Sequence, residues 1–304
     1  MDENIGKLKE NIFISTKDMD DIMNSLKNIN GNTIIVGTGG SRAVAEFASS
    51  VLEKKNHIIT KVIDVRDLYY MDLSLYENIF IASYSGSNFG VKYCFNNNLK
   101  KYLLTHRVTK VEDEELLSYE MEPEKSFISL NSTIVPMACL LKYYLEDKFD
   151  ILIEEMFNNV DQDLYMELGS DYVNIFEGID TVATNDFIAS TLAESGLSSP
   201  VMHEKYNYCH GRSTMNKNHD HTAIYIGYNN SELDQAIKEV LDIQMSNYLI
   251  LEQKYEDNVT NDFYLTLQSL YLLRNIAISK NVDLSVIKYD KEAVKRLYHF
   301  KGSM

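Results

Sequence analysis

The run IIVGTGGSRAVAEFASSVLEKK, residues 34–55, leaves few choices of fold. A β-branched apolar stretch meets a loop holding Gly37, Gly39 and Gly40, and the loop opens a segment with helical spacing. A strand that turns through glycines into a helix gathers free backbone N–H groups and the positive end of the helix dipole at one point, where an anion is favoured. The loop is not the dinucleotide fingerprint G-x-G-x-x-G, because Arg42 stands where a third glycine would let helix and strand approach. Asp64, closing the next strand, sits where a ribose-binding acid would, and keeps a dinucleotide reading open.

The strand-to-helix alternation runs on through the chain. Residues 1–30 are polar and periodic and predict a helical lead-in. After them NTIIVG, IITKVIDV, NIFIASYSGSNFG, YLLTHR and KSFISL read as strands, while SRAVAEFASSVLEKK, GVKYCFNNNLKK and STIVPMACLLKYYLEDKF read as helices. The acidic VEDEELLSYEMEPEK reads as a solvated connection, and ILIEEMFNNVDQDLYMEL as helical. The pattern then restarts, with IDTVAT, HTAIYIGY and YLILEQ as strands. DFIASTLAESGLSSPVMHEKY reads as one or two helices, and SELDQAIKEVLDIQM and DFYLTLQSLYLLRNIAISKNV as further helices. Strands alternating with helices predict parallel sheets. The expected fold class is α/β: two doubly wound, flavodoxin-like domains related by pseudo-twofold symmetry, over 31–160 and 170–290, with a tail over 291–304. The duplication is visible in the order of elements and not in the residues.

Charge and composition remove several functions. A formal net charge of -16 argues against a general nucleic-acid binder, which needs a basic face to displace counterions. It leaves room for a small phosphorylated ligand held locally by backbone and hydroxyl groups. No apolar run reaches the roughly 18 residues of a membrane span, and MDENIGKLKENIF lacks the basic start and apolar core of a signal peptide, so a cytoplasmic protein is expected. Cys94, Cys139 and Cys209 are widely spaced and odd in number, as reduced thiols are.

A second loop narrows the choice of anion. SYSGSN, residues 83–88, ends a strand and opens a helix. Ser83, Ser85 and Ser87 around Gly86 offer hydroxyl donors, which suit the oxygens of a phosphate monoester. Serine also caps helices routinely, but a cap needs one serine, not three beside a glycine loop. The hydrolase elbow G-x-S-x-G is absent.

On these two motifs, IIVGTGGSRAVAEFAS and IASYSGSN, the chain resembles the tandem sugar isomerase (SIS) domains, as in the isomerase half of glucosamine-6-phosphate synthase and its relatives. The resemblance covers roughly residues 30–290. It implies phosphate binding at Ser83, Ser85, Gly86, Ser87 and Asn88, and sugar contact at Gly39, Gly40 and Ser41. Asn88 stands where the family usually has Thr.

Isomerisation of an aldose to a ketose needs a base that shuttles a proton between C1 and C2, and a group that opens the ring. The stretch LAESGLSSPVMHEKYNYCHGR is similar in spacing to the family's L-K-E … H-G-P segment. The resemblance implies Glu194 as base, His210 as ring-opener (in the family often from a neighbouring subunit), and therefore a homodimer or larger. Ala193 replaces the family's Lys and Arg212 its Pro; Arg212 either binds substrate or pairs with a surface acid. Glu204 is the rival base. His203, His210, His219 and His221 raise a metal reading, but no further ligands arrive at zinc spacing, so they are expected to border the site. No cofactor or metal is implied.

VATNDF and YIGYNNSEL, in the second half, replace the glycine and serine loops, so phosphate binding is expected in the first half alone. The expected function is a phosphosugar isomerase, an amino-sugar-phosphate isomerase/deaminase or a sugar-amine-phosphate deglycase. The alternative is a phosphosugar sensor without turnover. No glutaminase segment precedes the two halves, so synthesis from glutamine is not expected.

Overall fold

The computed structural model describes residues 2–86, 89–106, 115–169, 171–178, 180–215, 221–286, 290 and 292. The lead-in forms three helices, α1 (Asp2–Gly6), α2 (Leu8–Lys17) and α3 (Asp20–Lys27). The first α/β unit follows: β1 (Thr33–Val36), α4 (Gly40–Asn56), β2 (Thr60–Ile63), β3 (Asn78–Ala82), α5 (Phe89–Cys94), β4 (Lys100–Thr105), β5 (Glu115–Ser118) and α6 (Asn131–Leu145). After α7 (Phe149–Asn159) comes the second unit: β6 (Tyr172–Glu177), α8 (Val182–Ser195), β7 (Ser199–Glu204), α9 (Lys205–Cys209), β8 (Thr222–Tyr228), α10 (Glu232–Gln244), β9 (Asn247–Glu252) and α11 (Asn258–Ser279).

Every strand pairing is parallel. The sheets run β2-β1-β3-β4-β5 and β7-β6-β8-β9, so the two units follow the same strand order from their first strands onward. The inner strands are apolar on both faces, as parallel strands covered by helices must be. Ile34, Ile35, Ile79, Phe80, Ile175 and Ile224 are all fully buried. Between the sheets lies a shared helix layer, in which α4 packs on α8 and α6, and α11 packs on α8 and α6. One continuous apolar core runs through this layer, from Phe47 and Val51 on α4 to Ile188, Leu192 and Phe263.

Four segments change type from the sequence reading, and two helices are shorter than read: α5 stops at Cys94, with Lys100 and Lys101 in β4, and α7 stops at Asn159. The strand expected at IDTVAT lies earlier, at Tyr172–Glu177, and Val182–Thr184 begins α8. The reason is tertiary: Asp262 on α11 accepts from the N–H groups of Ala183 (3.3 Å) and Thr184 (3.0 Å), capping the helix despite its β-branched start. Residues 199–204, read as helix, form the edge strand β7, where Pro200 is tolerated because the outer side needs no donor. Residues 115–118, inside the acidic connection, form β5 at the other edge. KSFISL is not a strand of either sheet, because Phe127 and Ile128 donate instead to the carbonyls of Ser285 and Leu284.

Candidate functional site

β1 connects outward to β2 on one side, and its other neighbour is β3. The crevice between the carboxyl ends of β1 and β3 is therefore the switch point of the first sheet, the place where open parallel sheets take ligands. The Gly37–Gly40 and Ser83–Gly86 loops meet there.

Each loop is shaped by residues that allow little else. A Cβ on Gly37 would lie 2.0 Å from the Ser41 carbonyl oxygen, so the turn into α4 closes only on glycine. Gly39 has φ of 61°, in the left-handed region that glycine adopts at no steric cost. In the second loop Gly86 N–H donates to the Ser83 hydroxyl at 3.2 Å. Ser83 is buried and Ser85 half-buried. Tyr84 stacks on His106 with ring centroids 5.2 Å apart, and its hydroxyl accepts from Glu124 N–H at 3.3 Å. Ser87 and Asn88 lie outside the described residues.

Carboxylates fill the N-termini of several helices. The Glu124 carboxylate accepts from the N–H groups of Leu130, Asn131 and Ser132, filling the N-terminus of α6. Asp262 does the same for α8, Glu204 for α9, Asp234 with Ser231 for α10, and Asp257 for α11. Among the described residues, no carboxylate occupies the first turn of α4. Its positive end faces the crevice. The first turn of α6 closes the far wall, where the Thr133 hydroxyl donates to the carbonyls of Gly40 (3.4 Å) and Ser129 (3.1 Å). A separate cleft of about 640 Å³ opens beside Glu124 among Asn4, Lys7, Asn11 and Asn131. Its Lys7 is paired with Glu3 and Glu122, and Lys125 also lines it.

Glu194 reaches this crevice from the second unit. It sits in the last turn of α8, with its Oε1 3.7 Å from where a Cβ on Gly39 would be. Burial pushes its carboxyl up from the ordinary range. The other residues of the LAES…CHGR stretch lie elsewhere. From Glu194 the chain turns through Gly196 and runs back along the six residues of β7, a span of roughly 20 Å. Glu204 ends that strand as the cap of α9, accepting from Tyr206 and Asn207 N–H. His210 follows α9 and is exposed, and Arg212 donates to the Met202 carbonyl at 3.3 Å. Glu194 and His210 of one chain are not brought together.

The histidines also differ from expectation. His203 is buried in β7 with Nε2 against Asn174 Oδ1 at 2.8 Å, and burial first, then Arg212, lowers its pKa to about 4. His221 is buried against Tyr172. Both belong to the packing of the second sheet and border no crevice with Glu194. His219 lies outside the described residues, and among those described no three such side chains converge on a metal position. Sequence reasoning missed Glu124, Ser129 and Thr133. The hydroxyl-rich start of α6, SLNST, was the available signal for the last two.

No protein-family model matches this chain, and no curated protein matches it in sequence. Solved structures do. Glucosamine-6-phosphate deaminase from Thermotoga maritima aligns over 94% of this chain and 98% of its own, with a TM-score of 0.68 and 15% identity. The chain shares its fold. Tagatose-6-phosphate ketose/aldose isomerase from Escherichia coli aligns over 95% and 96%, with a TM-score of 0.67 and 12% identity. The C-terminal domain of glucosamine-fructose-6-phosphate aminotransferase from Francisella tularensis aligns over 93% and 95%, with a TM-score of 0.65 and 13% identity.

Proposed function

We propose that the chain binds a phosphosugar in the crevice between the ends of β1 and β3 and moves a proton between C1 and C2 of the opened sugar. The reaction is that of a phosphosugar isomerase, or of an amino-sugar-phosphate deaminase or deglycase that shares this step. The observation that carries the reading is the Glu194 carboxylate beside Gly39, at the open end of α4. An anion-binding helix end and a carboxyl with a raised pKa meet where the topology puts ligands. A carboxylate tuned upward is the better proton acceptor near neutral pH. In this reading Ser83, Ser85, Gly86, Ser87 and Asn88 take the phosphate, Gly39, Gly40 and Ser41 the sugar, and Glu194 is the base. The chemistry named for the proteins of like fold, on glucosamine-6-phosphate and tagatose-6-phosphate, supports the substrate class.

Ring opening falls to His210 of a second copy, because the His210 of the same chain is a strand's length away. The same separation favours a second reading, a phosphosugar sensor that binds without turnover. Thermal shift with hexose, pentose and amino-sugar phosphates, beside the unphosphorylated sugars, tests binding. For the compound that stabilises the protein, exchange of its C1 and C2 protons with solvent is followed by NMR. Exchange that falls by about 10²- to 10⁴-fold in Glu194→Gln supports the base role. Binding without exchange makes the protein a sensor, and no stabilisation by any phosphosugar removes both readings.

A further inference from the structure

Tyr84 stands inside the serine loop, between Ser83 and Ser85, and the proposed reaction gives it nothing to do. It is nevertheless held at three points. Its backbone carbonyl accepts from the Thr105 hydroxyl, at the end of β4, at 3.1 Å. Its ring lies on the His106 ring, 15° from parallel with centroids 5.2 Å apart. His106 is fixed in turn by its Nδ1, 3.3 Å from the Tyr119 carbonyl. A carbonyl only accepts, so Nδ1 carries the proton. The third point is the Tyr84 hydroxyl, which accepts from Glu124 N–H at 3.3 Å.

Glu124 makes that last contact more than an anchor. Its backbone holds Tyr84 while its carboxylate caps α6, accepting from Asn131 N–H (3.0 Å), Ser132 N–H (2.9 Å) and the Ser132 hydroxyl (2.7 Å). The first turn fixed in this way is the one that lies against the glycine loop. Thr133 donates to the Gly40 carbonyl at 3.4 Å, and a Cβ on Gly40 would lie 2.7 Å from both Ser129 Cβ and Thr133 Oγ1. Packing that close leaves the Gly40 backbone no room to shift toward α6. A chain of contacts therefore runs from the serine loop through Tyr84 and Glu124 to the start of α6, and on to the glycine loop.

We propose that Tyr84 is a positioning residue, whose hydroxyl braces the serine loop against the start of α6 and so sets its distance from the glycine loop. The proposal rests on the reading that a phosphosugar bridges the two loops, with phosphate at one and sugar at the other. Such a ligand gains from loops already held at the right spacing, because ordering them on binding costs affinity. A bare phosphate touches the serine loop alone and is indifferent to the spacing.

The test compares the full wild-type chain with Tyr84→Phe, which keeps the ring for His106 and removes only the hydroxyl. Without ligand, hydrogen exchange at residues 130–133 is expected to quicken by roughly 2- to 10-fold, the contribution of one hydrogen bond between neutral groups. By titration calorimetry, affinity for glucosamine 6-phosphate is expected to fall over the same range, while affinity for inorganic phosphate stays as in wild type. A loop merely disordered by the substitution would lose both ligands together. Equal loss of both, or glucosamine 6-phosphate held as tightly as in wild type, overturns the brace, and so does unchanged exchange at 130–133. A wild type that takes neither ligand counts against the proposed function instead, and the exchange measurement then decides the brace by itself.

Discussion

The two units run their strands in one order, yet their switch points differ in what fills them. At the end of β3 the Ser83–Gly86 loop closes on the Ser83 hydroxyl, which accepts from Gly86 N–H. At the end of β8, the corresponding place, the chain wraps around its own carboxylate. Asp234 accepts from Asn229 N–H at 2.9 Å, from Lys205 Nζ at 3.3 Å and from the Tyr225 hydroxyl, and it is 2% exposed. The Thr181 methyl fills what remains, 2.7 Å from where a Cβ on Gly227 would sit. In the second unit a buried carboxylate thus occupies the place that the proposed function gives to a phosphate in the first.

The comparison breaks most visibly at Lys205. Lys205→Met leaves the Asp234 charge buried with one partner fewer, and removing one member of a buried pair costs about 3–5 kcal/mol. Chemical denaturation is expected to register that loss while phosphosugar affinity stays as in wild type. Next comes making the first unit resemble the second. Ser41→Asp places a carboxylate at the start of α4, as Glu124 and Asp262 do from elsewhere in the chain for α6 and α8. At ligand about 100-fold above Kd, wild type gains about 2.7 kcal/mol of stability, and Ser41→Asp is expected to gain none by the same thermal-shift assay. Retained stabilisation would locate the anion elsewhere. The smallest effect separates the two glutamates: Glu204→Gln weakens the cap of α9 at a cost of about 1 kcal/mol and leaves proton exchange intact, the reverse of Glu194→Gln.

The α/β alternation and the glycine turn into α4 were legible because each is local: a β-branched run and a run of glycines. The misread segments are those where distant groups decide. Val182–Thr184 carry β-branched residues that favour a strand on their own, and only Asp262, 78 residues away, turns them into a helix start. Residues 199–204 contain a proline that reads as a breaker until the strand is known to lie at an edge. The same limit hid Glu124, whose role depends on the helix beginning seven residues later. Nor does spacing reveal that Glu194 and His210 lie at opposite ends of a strand, because spacing counts residues along the chain and carries no direction in space.

The helix layer that both sheets share has a consequence for how such a molecule can change. Phe47, Ile188, Leu192 and Phe263 belong to one core drawn from both units, so neither half keeps a finished surface without the other. Cut between α7 and β6, each piece would present a wall of aliphatic and aromatic side chains to water and stick to its neighbours. The shared core therefore predicts that the two sheets melt in one transition. Inherited change is confined in the same way: loops at the strand ends can be rewritten one at a time, while the wall between the halves must be kept by both.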